Sequence, residues 1–350
     1  MKTGKTLSQL AQEVERIENS KKDFIAPTTK LHMVDGHICL DGMPETFKAN
    51  DNFHSQVAAR LKIPKQYYDR MKTENSSLLD VNVNHWLHSQ PEKRMIRTLD
   101  GNARAFLSDR YRALDNYDMM SAVLPVLQEM PNIKIVSSDI TDKKLYLKVL
   151  FPEIEAKIEG SKQVGDLVQA GICISNSEIG QGSLAVQPLI YRLVCTNGMI
   201  RNSSMKKYHV GKGNGTGFED IQELLTDETK RLSDKAFWMS VQDIVRSSVN
   251  RDLFMNDVAR LSETTQDFIT NDDVIEVVKN TCNHFGIGLA DERKMLTSLL
   301  KDNDFSRWGL ANAVTNIAND QEDYEAATEF EKIGGKIIDL SRQDWKSIAC

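Results

Sequence analysis

The 350-residue chain predicts an α+β fold: a central, mostly antiparallel sheet built from hairpins, preceded by short helices and followed by a helical last third. Two observations carry the prediction. Apolar residues alternate on either side of the tight-turn dipeptides Asp35-Gly36 and Asp100-Gly101, as hairpin strands require. Apolar spacings of three and four, the period of a helix face, dominate residues 5–19 and return after residue 216. The change of pattern divides the chain into an N-terminal amphipathic helix (1–22), an α+β core (23–215) and a helical C-terminal region (216–350).

Taken in order, "KTLSQLAQEVERIEN" spaces Leu7, Leu10, Val14 and Ile17 as one apolar stripe, fit to pack on the body or to zip to a second subunit. "KLHMVDGHICLDG" predicts two short strands about Asp35-Gly36. Short helical segments follow in "NDNFHSQVAARLKI", in "PKQYYDRMKTE" with Pro64 near its start, and in "SSLLDVNVNHWLHS". The first two have the outline of a helix-turn-helix, but the second offers few base-reading side chains, and plain packing accounts for them better. A hairpin turning near Asp100-Gly101 leads to the helix "NYDMMSAVLPVLQEM", and residues 133–151 form another strand pair. Long β-rich segments run to Ile200, with Asn197-Gly198 read as a turn and Gly180 and Gly182 as tight backbone positions. Asn176 and Ser177 are placed to satisfy backbone groups at a strand end. Thr216 and Glu219 have capping-box spacing ahead of a long helix through about Ser248, and further helices are expected near 251–263, 272–284, 290–302, 306–319 and 322–340.

Composition removes several classes. No apolar run reaches the roughly 18 residues of a membrane span, and the polar, acidic N-terminal segment does not read as a secretory signal, so a cytoplasmic setting is expected. Five scattered cysteines without a Cys-x-x-Cys pair disfavour a disulfide framework or a structural zinc site. "GKGNGTG" lacks the Lys-Ser/Thr ending of a phosphate loop, and "HWLH" supplies only His85 and His88 toward a metal. Cys195 and His209 sit in an apolar β context that suits a buried thiol better than a nucleophile. No catalytic residue, metal or cofactor is therefore assigned.

Two cationic segments remain in a chain of net charge -6. One holds Arg94, Arg97, Arg104, Arg110 and Arg112 beside Phe106 and Tyr111. The other holds Arg192, Arg201, Lys206, Lys207 and Lys212 beside Tyr191, Tyr208 and His209, within a run from Ile179 to Phe218 that contains no Asp or Glu. Cations that track phosphates beside rings that stack on bases suit single-stranded nucleic acid. The candidate contacts are Arg97, Arg104, Arg110, Tyr111, Arg112, Arg192, Arg201, Lys206, Lys207, Tyr208 and Lys212. The competing reading pairs the arginines with acids; Asp100, Asp109 and Asp115 stand in the first segment.

"NHWLH", "RTLDGNARAFLSDRYRALDNYDMM", "ISNSEIGQGSLAVQPLIYRLVCTNGMI" and "RWGLANAVTNIA" together resemble the phage- and plasmid-borne domain-of-unknown-function family nine-three-two, over about Phe53 to Asp339. The resemblance carries no catalytic residues. It implies a mobile-element origin, a host-bacterial cytoplasmic setting, and a role in DNA metabolism or defence evasion. The resulting expectation is a non-enzymatic protein that binds single-stranded DNA, as an oligomer that assists annealing. The alternative is an interaction protein that engages a host protein through its acidic helices.

Overall fold

The computed structural model describes residues 1–201, 226–269 and 274–349. Its α+β architecture matches the expected class, with two sheets where one central sheet was expected.

The helix α1 (Leu7–Ser20) starts with a capping box in which the Thr6 hydroxyl accepts from the Gln9 amide and Gln9 returns the bond. Its stripe is used inside the subunit: Leu10, Val14 and Ile17 are buried, with Leu10 and Val14 in the main core. The first sheet contains β1 (Lys22–Pro27), β2 (Leu31–Val34), β3 (His37–Leu40), β4 (Thr46–Ala49), β5 (Lys93–Leu99) and β6 (Asn102–Ser108), in the order β1-β5-β6-β4-β3-β2. Its neighbours are antiparallel except β4 and β6. The β2–β3 and β5–β6 turns fall on Asp35-Gly36 and Asp100-Gly101, and all four residues take the left-handed backbone that a two-residue hairpin turn demands. Helices α2 (Asp51–Arg60), α3 (Lys65–Glu74) and α4 (Ser76–Ser89) close a separate core on this sheet, centred on Phe53, Tyr68, Leu79, Val83, Ile96 and Phe106.

After α5 (Asn116–Glu129), the second sheet is an antiparallel meander of β7 (Lys134–Ile140), β8 (Leu145–Lys157), β9 (Leu167–Asn176), β10 (Ala185–Arg192) and β11 (Asn197–Ile200). Along the first half of β8, Leu145–Phe151, both faces are buried. Leu145, Leu147, Val149 and Phe151 enter the main core, while Tyr146 and Leu150 join a second cluster with Tyr324. The C-terminal helices are α6 (Asp227–Ser247), α7 (Arg251–Thr264), α8 (Val274–Phe285), α9 (Leu289–Asp302), α10 (Arg307–Ile317), α11 (Tyr324–Ile338) and α12 (Arg342–Ala349). They share the main core with the second sheet, through residues such as Trp308, Leu310, Val314 and Ile337.

Two local expectations need revision. Asn197-Gly198 is not the turn: the chain reverses over Leu193–Thr196, where Thr196 takes the positive φ, and Asn197 and Gly198 open β11. The buried Asn197 side chain bonds to the Thr315 hydroxyl, and a Cβ on Gly198 would lie 3.0 Å from a Leu189 methyl. The pair is fixed by close packing, not by turn chemistry. The capping box at Thr216 and Glu219 lies outside the described residues, and the described part of that helix begins at Asp227 behind Thr226, whose hydroxyl accepts from the Thr229 amide.

Candidate anion-binding cleft

The phrase "NSEIG" forms the clasp between the two sheets. It leaves the end of β9 and turns into the end of the first sheet, where nearly every polar group it carries finds a partner. The Asn176 amide donates to the Leu114 carbonyl at 2.8 Å and to Asn116 Oδ1 at 3.0 Å. Glu178, 4% exposed, accepts from Arg104 at 2.8 Å with one carboxylate oxygen and from the Asn116 backbone N–H at 2.7 Å with the other. Its carbonyl accepts from Arg97 at 2.7 Å, and the Ile179 carbonyl accepts from Gln56 at 2.7 Å. Gly180 follows at φ +75, a left-handed backbone that favours glycine, and a Cβ there would press on the end of the Leu107 side chain at 2.7 Å. The expected structural role of Asn176 and Ser177 holds: the Ser177 hydroxyl donates to the Lys143 carbonyl.

This clasp, together with buried acids elsewhere, decides the fate of most of the predicted cationic site. Arg97 is fully buried and bridges Asp23 at 2.9 Å and Asp115 at 2.5 Å. Arg104 faces Glu178. Arg192 is forked on Asp166 at 2.6 and 2.7 Å and lies over the Trp308 ring. Arg201 is fully buried, 2.8 Å from Asp339 and 3.6 Å from Asp257. Desolvation pushes its pKa down, against the pull of Asp339 and Asp257. These four are corrected from surface contacts to interior ion pairs. A guanidinium already desolvated and matched to a carboxylate has neither the exposure nor the free charge to meet a phosphate. The acid-free run has the same explanation: its arginines take their acids from distant sequence, at Asp166, Asp257 and Asp339. Arg112 is half-buried, paired with Asp234 and stacked on Phe237. Lys206, Lys207, Tyr208 and Lys212 lie outside the described residues.

Arg110 and Tyr111 are placed differently. They line an open polar cleft of about 490 Å³ beside Arg60, Glu92, Lys93, Arg94, Ser108 and Asp109. The cleft is made where β5 begins and β6 ends, so the antiparallel pairing that sets Arg94 opposite Ser108 also brings these cations together. Arg60 arrives from the last turn of α2. Among the described residues of its lining, four cations face two acids. Glu92 organises the set by accepting from Arg60 at 2.7 Å and from Arg94 at 2.7 and 2.8 Å. Partial burial works against ionisation, but these two guanidiniums outweigh it and hold the Glu92 pKa down at about 2. Lys93 is exposed, with no ion pair among the described residues, and Arg110 is exposed. Tyr111 contributes an edge more than a face: its hydroxyl donates to the Ser177 carbonyl at 3.2 Å and its ring packs on the Ala105, Leu107 and Ile179 cluster.

Sequence reading found Arg110 and Tyr111 but missed Arg60, Glu92 and Lys93 as members of the cleft. Lys93 stands next to Arg94 and was within reach of the pattern. Arg60 comes from a helix with no sequence signal linking it to the hairpin. The two histidines of "HWLH" do not converge, since His88 bonds to the Leu31 carbonyl at 2.9 Å and His85 is exposed beside Trp86. Among the described residues no cluster of three or more His, Cys, Asp or Glu side chains could hold a metal ion, and no helix is long and apolar enough to cross a membrane.

The chain belongs to the family described as Domain of unknown function (DUF932), whose model matches residues 105–332. That span takes in the clasp, the second sheet and most of the C-terminal helices, while Arg60, Lys93 and Arg94 fall before it. Searches of curated proteins and of solved structures found no match.

Proposed function

We propose that this is a non-enzymatic DNA-handling protein of a bacteriophage or plasmid, acting in the host cytoplasm, and that it binds single-stranded DNA by its phosphates along the cleft of Arg60, Lys93 and Arg110. One observation carries the reading: cations outnumber acids four to two among the described residues lining this open polar cleft, and Lys93 is exposed with no ion pair among them, on a protein of net charge -6. Such a local excess attracts a polyanion while the acidic remainder keeps the protein soluble and limits indiscriminate coating. Because the Tyr111 ring is packed, affinity comes from phosphate contacts and little from stacking. Two to three such contacts on a single strand correspond to a loss of roughly 7- to 20-fold in affinity between 50 and 200 mM salt.

The test is a titration of a fluorescently labelled single strand at those two salt concentrations, with Lys93→Glu and Arg110→Glu as variants. Binding that weakens with salt and with each charge reversal supports the proposal. No binding at low salt, or binding that both reversals leave untouched, refutes it.

A second reading, an interaction protein that engages a host protein, is favoured by a different observation: α4 exposes Leu78, Val81 and Trp86 on one side. A host protein retained from nuclease-treated lysate by the wild type and lost with Val81→Asp supports that reading; retention unaffected by the change counts against it.

A further inference from the structure

A second cavity, of about 440 Å³, lies where the β2–β3 turn and the end of β4 meet α2, α3 and the start of α4. His54 forms part of its wall although the residue is only 2% exposed. Its Nδ1 lies 2.8 Å from the hydroxyl of the fully buried Tyr68, and that hydroxyl has no other partner among the described residues. A buried phenol left without an acceptor for its hydrogen would be costly, so Tyr68 donates to Nδ1 and the imidazole hydrogen resides on Nε2. Nε2 has no protein partner among the described residues. The ring is therefore an oriented, neutral donor aimed into the cavity. Burial, reinforced by the nearby Lys72 charge, holds its pKa at about 4, so it stays neutral near pH 7.

The other donors around the cavity are positive. Lys48 is exposed and has no ion pair among the described residues. Ser76 opens α4, a 14-residue helix with no acid in its first turn, so its first N–H groups carry a partial positive charge, although Asp80, one residue further along, is bonded to the Asp35 N–H at 2.7 Å. The acids on the rim compete weakly. Asp51 is already paired with Lys72 at 2.5 Å, and its side chain is 92% exposed; Asp35 lies at the exposed turn.

We propose that this cavity binds a small anion, the phosphate or carboxylate group of a small molecule, between the Lys48 ammonium, His54 Nε2–H and the start of α4 at Ser76. The site is separate from the cleft of Arg60 and Lys93 and does not depend on the nucleic-acid reading.

The experiment follows the His54 ring nitrogens by long-range proton–nitrogen NMR of the full chain near pH 7. Inorganic phosphate and acetate are titrated in parallel at constant ionic strength. The expected result is a saturable shift of Nε2 with at least one anion, and the comparison of the two assigns the headgroup. Lys48→Ala is expected to weaken binding by roughly tenfold or more, the loss of one charge-assisted contact, and Lys48→Arg to restore most of it. Lys93→Glu is expected to leave it unchanged. Lys48 is exposed, so its variants retain the fold, and the dispersion of the rest of the spectrum verifies this. No saturable shift with either anion, a Lys48→Ala variant that titrates as wild type, or an Nε2 that carries no hydrogen would overturn the proposal.

Discussion

Replacing Glu178 with alanine removes the carboxylate on which the clasp between the sheets depends. In the folded protein Arg104 loses the carboxylate it faces; its Nε and Nη2 already lack partners, and it is 9% exposed. The Asn116 N–H, at the start of α5, loses its acceptor at the same moment. Breaking a buried ion pair from one side costs about 3–5 kcal/mol, and orphaning a buried backbone donor about 1–3 kcal/mol. One carboxylate serves both groups, so the two losses overlap and about 4 kcal/mol is expected for the whole. That is a large share of the 5–15 kcal/mol typical of a folded domain. Urea unfolding followed by circular dichroism would show it as a fall in midpoint of about 1 M or more, for a slope near 3 kcal/mol/M. Glu178→Gln keeps an acceptor for Asn116 while removing the charge, so its loss should be smaller than that of the alanine variant. A Glu178→Ala protein within 1 kcal/mol of wild type would refute the assignment of these arginines to the interior framework.

Other consequences follow from buried charge. Lys148 and Glu331 meet at 2.6 Å with both side chains fully buried, so Lys148→Met alone should cost about 3–5 kcal/mol, and the double change Lys148→Met with Glu331→Leu should recover most of it in the same unfolding assay. His54, ordinarily near 6.5 and held at about 4, must be protonated more readily in the unfolded chain than in the fold. Its contribution is therefore intact above pH 6.5 and is lost as pH falls through that value toward 4, by about 3 kcal/mol in all. His54→Gln should flatten that part of the pH–stability profile, and an unchanged profile would count against a neutral buried imidazole.

Hairpins and helices were legible because their signals are local. Asp35-Gly36 and Asp100-Gly101 sit where positive φ is needed, and the stripe of α1 is the one that becomes buried. Asn197-Gly198 misled because the same dipeptide serves a turn or a close approach, and only the Thr315 and Leu189 contacts tell them apart. Lys148 lay unnoticed in an apolar strand, since its partner on α11 is 183 residues away. Arg97 took Asp115, one of the nearby acids the sequence offered, whereas Arg192 and Arg201 failed as site candidates for the same reason as Lys148. A cation's availability depends on where the acids fold to, and Asp166, Asp257 and Asp339 are remote in sequence from the segment they neutralise. Arg110 is exposed and lines the cleft just beyond the end of β6, a placement that residue type alone does not reveal.

Lysine modification measured residue by residue, with and without a saturating single-stranded oligonucleotide, tests the central claim most directly. The account predicts that Lys93 is modified several-fold more slowly when the strand is bound at low salt and regains its free rate at high salt, with the fold unchanged. Unaltered modification of Lys93 under conditions where the strand is demonstrably bound would contradict it.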